Sequence, residues 1–240
     1  MDSVELMSRF DTKYVFSADR LPYFFSLLNG NYRILEIAGD RAFPYSTLYL
    51  DTPDYMFYRQ HVTGKLARHK VRYRTYLASG ITYLEVKEKN NKLRTLKWRL
   101  LNNSDPGAMD QAAIDFLSEH FPGDRLSLWP VLRNGFMRST LVGISTHERI
   151  TIDFNMDFAA TDGTKFMMPY MTVVELKSEC YTCHSPFRNA IRQAGVRPAG
   201  FSKYCTGNAI LLDLPRKNIL KEKILLLNKI EHEYNESVAG

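Results

Sequence analysis

Alternation of apolar and charged positions runs through much of the chain and predicts β-strands. In "KVRYRTY", Lys70, Arg72 and Arg74 fall on one side and Val71 and Tyr73 on the other, because residues two apart in a strand share a face. The stretches "LEVKEK", "ERITIDF" and "VVELKSE" alternate in the same way. Each of these strands is therefore expected to have one charged face and one strongly apolar face.

Helical signals separate the strands. "SADRLPYFFSLLNG" has Ser17 as a candidate N-cap, "SDPGAMDQAAIDFLSEHFPG" is expected to open at Asp105 or nearby, and "SPFRNAIRQAG" has Ser185 as its cap. A last helix is expected at about residues 215–235, apolar on one side. The short "ASG" segment between two alternating runs predicts a hairpin. We expect one α+β domain over residues 1–240, with antiparallel strands and few helices.

Composition narrows the class of protein. A hydrophobic fraction of 45% is typical of a globular core, and a net charge of +6 favours anionic partners. No apolar run reaches about 18 residues, so no membrane segment is expected. No secretion signal is recognised at the start of the sequence, and three cysteines then favour a reduced, cytoplasmic protein.

One cysteine motif matches a pattern known from cofactor attachment. "CYTCH" places Cys180, Cys183 and His184 in the C-x-x-C-H pattern of haem attachment. That chemistry requires export, and a zinc site would need further ligands at suitable spacing. We therefore expect two reduced thiols in a loop.

The charged strand faces allow two interpretations. They could simply meet water, with the apolar faces toward the core. However, they hold mainly Arg, Lys and Glu, and the helices have apolar stripes that must cover something. If the helices cover the apolar faces, the charged faces could line the inside of a closed sheet. Bases there would bind phosphate oxygens, and acids would balance them or hold a divalent metal.

The motifs "RFDTKY", "LYLDT", "KVRYRTY", "LEVKEK", "ERITIDF", "VVELKSE" and "FSKYCTG" occur in this order between about residues 7 and 213. In order and spacing they resemble the VTC domain, the polyphosphate polymerase branch of the CYTH and triphosphate tunnel metalloenzyme superfamily. The resemblance implies a closed antiparallel eight-stranded β-barrel with helices packed outside. It also implies phosphotransferase activity on ATP or on inorganic polyphosphate or triphosphate, with Mn²⁺ or Mg²⁺.

The resemblance also implies roles for individual residues. The catalytic residues, all positively charged, would be Lys13, Arg72, Arg74, Lys87, Arg149 and Lys203. Further phosphate-binding groups would be Lys97, Arg138 and Ser202. The metal ligands would be Glu175 and, second, Glu85.

Some positions and the reaction itself remain open at this stage. The family usually has glutamate where this chain has Asp11, which puts Asp11 in doubt as a direct metal ligand. Asp153 could orient Arg149 or touch the metal. Lys177 could be a salt-bridge partner of a nearby glutamate, and Arg133 could lie on the outside of the barrel. The alternatives to polyphosphate synthesis are an inorganic or nucleoside triphosphatase and a non-catalytic polyphosphate or RNA binding module. Nucleic acid is not the expected partner, because no RNP-like aromatic motif is present.

Overall fold

Ten strands of the described residues form one antiparallel sheet. The structure is a computed structural model that describes residues 10–92, 94–123, 127–180 and 184–239. The strands are β1 (Phe10–Ser17), β2 (Tyr32–Ile34), β3 (Phe43–Asp51), β4 (Arg68–Tyr76), β5 (Ile81–Lys89), β6 (Thr95–Asn102), β7 (Trp129–Gly143), β8 (Glu148–Ala160), β9 (Lys165–Met168) and β10 (Met171–Ser178). The helices are α1 (Leu21–Leu28), α2 (Met56–Val62), α3 (Gln111–His120), α4 (Pro186–Gln193), α5 (Lys203–Leu211) and α6 (Lys221–Ala239).

In the part of the chain that the structure describes, the sheet is not a closed barrel, which corrects the prediction of a closed eight-stranded one. Its main path runs β1-β10-β8-β7-β3-β4-β5-β6, with β2 added beside β7 and β9 beside β8. The second edge of β1 has another partner: the Ala199 N–H donates to the Lys13 carbonyl at 2.8 Å, and Tyr14 pairs with Pro198. The segment before α5 therefore takes the edge at which β6 would have closed the barrel.

The apolar strand faces lie under the helices, as predicted. Tyr14, Ile152 and Leu176 from β1, β8 and β10 are buried in one cluster with Phe24 of α1 and Phe187 of α4. A second cluster joins the apolar positions of β4 and β5 to α2, α3, α5 and α6. Because these faces are sealed by helices, the charged positions of the same strands must point to the opposite side of the sheet.

Helix α5 is absent from the sequence prediction. Its residues Tyr204 to Ala209 are all buried, so it has no polar face and no helical periodicity to detect. The Tyr204 hydroxyl donates to Asp51, which also accepts from the N–H groups of Phe57 and Tyr58 at the start of α2. Asp51 thereby ties α2 and α5 to the end of β3.

Two helix caps and one cysteine test the local predictions. Ser185 caps α4, as predicted, with Oγ accepting from the Arg188 N–H at 3.1 Å. Asp105 does not cap α3; Asp110 does, accepting from the Ala113 N–H at 2.8 Å. Cys180 is disulfide-bonded, so the prediction of a reduced thiol is wrong for it.

Three further predictions concern the second cysteine of the motif, the last helix and membrane segments. Cys183 of the "CYTCH" motif lies outside the described residues. The last helix runs from Lys221 to Ala239, slightly later than predicted, after a short 3-10 turn over Lys217–Leu220. Among the helices that the structure describes, none is long and apolar enough to cross a membrane.

Candidate functional site

Cross-strand pairing collects most of the charged side chains on one side of the sheet. Direct partners include Lys13 with Glu175 and Arg72 with Glu85, and such partners share a face. We use the term charged face for this set of residues. Its charged members on the strands are Asp11, Lys13, Arg68, Lys70, Arg72, Arg74, Glu85, Lys87, Lys89, Lys97, Arg99, Arg138, Arg149, Asp153, Glu175 and Lys177.

The charged face is concave. Lys87 lies on β5, next to one end of the strand order, whereas Asp11 and Glu175 lie on β1 and β10 at the other end. Nevertheless both carboxylates, together with Lys13, act electrostatically on the pKa of Lys87. The sheet must therefore curl to bring its two ends toward each other, although no described residues of β6 and β1 pair.

A first ion-pair cluster is centred on Glu85. Its Oε2 lies 2.7 Å from Nη2 of Arg72, and its Oε1 lies 2.5 Å from Nζ of Lys97. Burial alone would raise the pKa of this 1% exposed carboxyl, but Arg72, Arg74 and Lys97 outweigh it and lower the pKa to about 2. Glu85 is thus an ionised counter-ion, and each of its oxygens lies at ion-pair distance from a cation. This geometry does not favour Glu85 as the predicted second metal ligand.

A second cluster is centred on Asp153. Arg138 binds it bidentately, with Nε and Nη2 lying 2.6 and 2.8 Å from the two carboxylate oxygens. Lys203 from α5 also donates to this carboxylate. The two cations overcome the effect of burial and hold the Asp153 pKa well below its usual range. Asp153 therefore orients Arg138 and Lys203, rather than Arg149 as the sequence suggested.

Arg74 is influenced by charges of both clusters, namely Arg72 and Glu85 of the first and Arg138 of the second. Within the described ranges, no carboxylate lies at ion-pair distance from it, and its buried Nε has no hydrogen-bond partner. Burial first, and then repulsion by Arg72 and Arg138, lower its pKa to about 10. A guanidinium with a buried, unused donor is a ready site for an anionic oxygen.

Lysines extend the cationic surface toward α5. Nζ of Lys13 donates to the Phe201 carbonyl at 3.0 Å, and Nζ of Lys70 donates to Ser202 Oγ at 3.2 Å. Ser202 is also the N-cap of α5. Burial is the main cause that lowers the pKa of Lys70 to about 7 and that of Lys203 to about 8, with neighbouring cations adding to it. Lys87 is exposed to solvent, and partial desolvation together with repulsion by Arg72 and Lys13 lowers its pKa.

Two carboxylates meet at the open side of the charged face. Nζ of Lys177 lies 3.4 Å from Oδ2 of Asp11 and 3.6 Å from Oε2 of Glu175. Burial would raise the pKa of Glu175, but Lys13, Lys177, Arg138 and Lys87 together lower it.

This pair can be tested as a site for the predicted divalent metal. In the described part of the chain no three His, Cys, Asp or Glu residues group together as ligands. Mg²⁺ commonly binds through one or two carboxylates with substrate phosphates supplying the rest. Asp11 and Glu175 around a shared cation fit that donor set.

The structure places the other predicted residues less centrally. Arg149 is on the charged face but exposed, beside Lys177 in register. Lys97 reaches Glu85 although its side chain is 44% exposed. Arg133 pairs with Leu48 and donates to Ser46, which places it on the opposite face of the sheet.

Several residues of the site were not among the predicted ones. Lys70 has the same alternation as Arg72 and Arg74 and could have been included on that signal. Arg99 shares a face with Lys97, two residues before it. His61 could not have been found by periodicity, because it comes from α2 and lies 3.5 Å from Nζ of Lys70 only through tertiary packing.

The sequence matches one family of known proteins. The family model of the VTC domain matches residues 8–106 and 119–212. The chain belongs to the VTC domain family. The family predicted from the motifs is thus confirmed, and the matched ranges include every predicted site residue of this VTC domain protein.

Solved structures are similar to this chain at low sequence identity. A candidate adenylate cyclase from Bacillus halodurans is 12% identical at a TM-score of 0.49, covering 82% of this chain and 94% of its own. A candidate adenylyl cyclase from Hippeastrum, described as having a dominant triphosphatase activity, is 13% identical at a TM-score of 0.49, covering 85% and 97%. The PH1819 protein of Pyrococcus horikoshii is 14% identical at a TM-score of 0.44, covering 81% and 96%. Among curated proteins none matches the sequence.

Proposed function

We propose that this VTC domain protein catalyses metal-dependent phosphoryl transfer on triphosphates and, within that class, the synthesis of polyphosphate from ATP. The observation that carries the proposal is Arg74, a partly buried arginine whose Nε has no hydrogen-bond partner and whose guanidinium is repelled by cations of both ion-pair clusters. Membership of the VTC domain family supports the same chemistry.

Excess positive charge on the charged face supports a polyanionic substrate. Glu85 and Asp153 each already bind two cations, so they cannot also neutralise Arg74 or Lys87. Clustered cations in a partly desolvated concavity repel one another strongly. A chain of phosphates that enters the concavity would relieve this repulsion, and arginine would bind its oxygens by charge-assisted hydrogen bonds.

Transfer of a phosphoryl group depends on position and charge more than on covalent chemistry by the protein. In our proposal Arg74, Arg138 and Lys203 hold the transferred phosphate and the oxygen that leaves with the nucleotide. Asp153 fixes the latter two cations in place. Lys13 and Lys70, near α5, hold the phosphate chain whose terminal oxygen attacks in line.

Asp11 and Glu175 would hold the divalent cation, with Mn²⁺ or Mg²⁺ as the expected ion. When bound, it would neutralise charge on the phosphate oxygens. The ammonium of Lys177, which contacts both carboxylates, would then turn toward substrate or solvent.

The test is incubation of the whole chain with ATP and Mn²⁺ or Mg²⁺, followed by gel analysis of the products. A ladder of polyphosphate that is lost in the Arg74→Gln variant supports the proposal. Release of orthophosphate alone would assign a triphosphatase instead. Binding of polyphosphate or RNA without any turnover would assign a binding module and overturn the proposed catalysis.

A further inference from the structure

Four aromatic rings form a continuous row across the charged face. Phe136 on β7 stacks on Tyr45 of β3, with ring centres 5.3 Å apart and planes 7° apart. Tyr45 contacts Tyr76 of β4 at 5.0 Å, and Tyr76 contacts Tyr83 of β5 edge to face at 6.0 Å. The row crosses four neighbouring strands, a span of roughly 14 Å at the usual strand spacing.

The row begins among the phosphate-binding cations. The guanidinium of Arg138 lies 5.2 Å from the centre of the Phe136 ring, and that of Arg74 lies 6.0 Å from it. Nζ of Lys203 lies 4.4 Å from the same ring. Phe136 is buried, so this end of the row has no room for a ligand on its outer side.

The other end of the row opens toward solvent. Tyr45, Tyr76 and Tyr83 are only partly buried, and Arg99 on the edge strand β6 is exposed. The Arg99 guanidinium lies 5.0 Å from the centre of the Tyr83 ring. A flat cation and a ring thus lie together at the rim, and both are groups on which a nucleobase can stack.

We propose that Tyr83 and Arg99 form a subsite for the nucleobase of a nucleoside triphosphate. This inference rests on the proposed function and assigns which triphosphates the site prefers. Tyr83 is the direct cross-strand partner of Arg74, so a ligand with its phosphates on Arg74 has its other end near this ring. Inorganic triphosphate has no planar group for the subsite. The site is therefore specific for nucleoside over inorganic triphosphates and tolerant of the base, since every base has a face that stacks.

The experiment measures equilibrium binding of ATP and of inorganic tripolyphosphate, without added metal, to five proteins. These are the wild type, Tyr83→Leu, Tyr83→Phe, Arg99→Gln and a control variant, Tyr23→Leu. Loss of a stacked base costs about 1–3 kcal/mol, or roughly 5- to 150-fold in affinity. We expect Tyr83→Leu to weaken ATP binding by at least fivefold and tripolyphosphate binding by less than twofold.

The conservative variants separate stacking from structure. Tyr83→Phe keeps the ring and should retain ATP affinity within twofold. Arg99 is exposed, so Arg99→Gln should fold normally and weaken ATP binding several-fold while weakening tripolyphosphate binding less than twofold. As a matched control, Tyr23 of α1 is 49% exposed and outside the charged face, and Tyr23→Leu should alter neither affinity.

The outcomes distinguish the two proposals. If Tyr83→Leu weakens both ligands equally, or neither, the nucleobase subsite is wrong while the phosphate site stands. If the wild-type protein binds tripolyphosphate at least as tightly as ATP, the predicted preference is likewise wrong. If the wild type binds neither ligand, the proposed function fails, and the subsite with it.

Discussion

Glu85 and Arg72, cross-strand partners on β5 and β4, form a buried ion pair in which Nε and Nη2 of Arg72 lie 2.8 and 2.7 Å from one carboxylate oxygen. The same carboxylate also binds Lys97. This arrangement fixes the direction of the guanidinium next to Arg74. It also makes Glu85 the main negative charge that stabilises this part of the charged face.

Replacement of Glu85 by Gln should destabilise the protein, because it leaves Arg72 and Lys97 without a counter-ion. Loss of one partner of a buried pair costs about 3–5 kcal/mol, and the partial exposure of Lys97 reduces the expected loss to about 2 kcal/mol. Urea denaturation measures this change. Glu36→Gln is the matched control, since its pair with Arg41 is largely exposed and should contribute less than about 1 kcal/mol. Equal stability of the Glu85→Gln variant and the wild type would contradict the counter-ion role.

The three buried or partly desolvated lysines Lys70, Lys87 and Lys203 should make the unliganded protein more stable as the pH rises from about 7 to about 9. In the folded state the pKa is lowered to about 7 for Lys70 and to about 8 for Lys87 and Lys203. An unfolded lysine titrates near pH 10.4. Across this window the unfolded chain binds more protons, so these lysines make the free energy of unfolding increase with pH.

Urea midpoints at pH 7 and pH 9 test this pH dependence. Lys87→Gln removes one of the three groups and should reduce the rise in stability. Lys229→Gln, on the exposed surface of α6, should leave the rise unchanged. The same slope in the Lys87→Gln variant as in the wild type would show that Lys87 keeps an ordinary pKa.

Asp11 and Glu175 should control the dependence of activity on Mn²⁺ or Mg²⁺. Both carboxylates surround one cation, the Lys177 ammonium, and a divalent ion with phosphate would replace it. We expect Glu175→Gln and Asp11→Asn to raise the metal concentration needed for half-maximal activity at least tenfold, since each loses a ligand.

A metal titration of turnover at fixed ATP makes this measurement. Glu179→Gln serves as the control, because this carboxylate contacts His147 beyond the end of β10. An unchanged metal dependence in Glu175→Gln would remove Glu175 from the metal site. An unchanged dependence in Asp11→Asn would show that its shorter side chain does not reach the metal.

The sequence could predict the strands of the site because each follows a local rule. Alternation placed Arg72 and Arg74 on the charged side of one strand and Glu85 on the charged side of another without any tertiary information, and the ordered motifs identified the family. What alternation cannot give is which carboxylate binds which base. From the sequence, Asp153 could orient Arg149 on its own strand or touch the metal, whereas the structure joins it to Arg138 and Lys203.

The closed barrel was predicted wrongly and α5 was missed, both for physical reasons of another kind. Closure depends on which segment reaches the free edge of β1, and Ala199 takes it. Helix α5 is buried on all sides, so its sequence has no amphipathic pattern. This is why Ser202 and Lys203 could be assigned roles only by family resemblance, while their position at the start of a helix was not predicted.

Binding of inorganic tripolyphosphate to the wild type, Arg74→Gln and Arg133→Gln tests the central claim most directly. Arg133 is the matched control, being an arginine on the opposite face of the same sheet. Hydrogen bonds to charged groups contribute about 1.5–3 kcal/mol. The account therefore predicts at least tenfold weaker binding by Arg74→Gln, without loss of stability, and binding by Arg133→Gln within twofold of the wild type. Equal affinities of Arg74→Gln and the wild type, or an equal loss in Arg133→Gln, would contradict it.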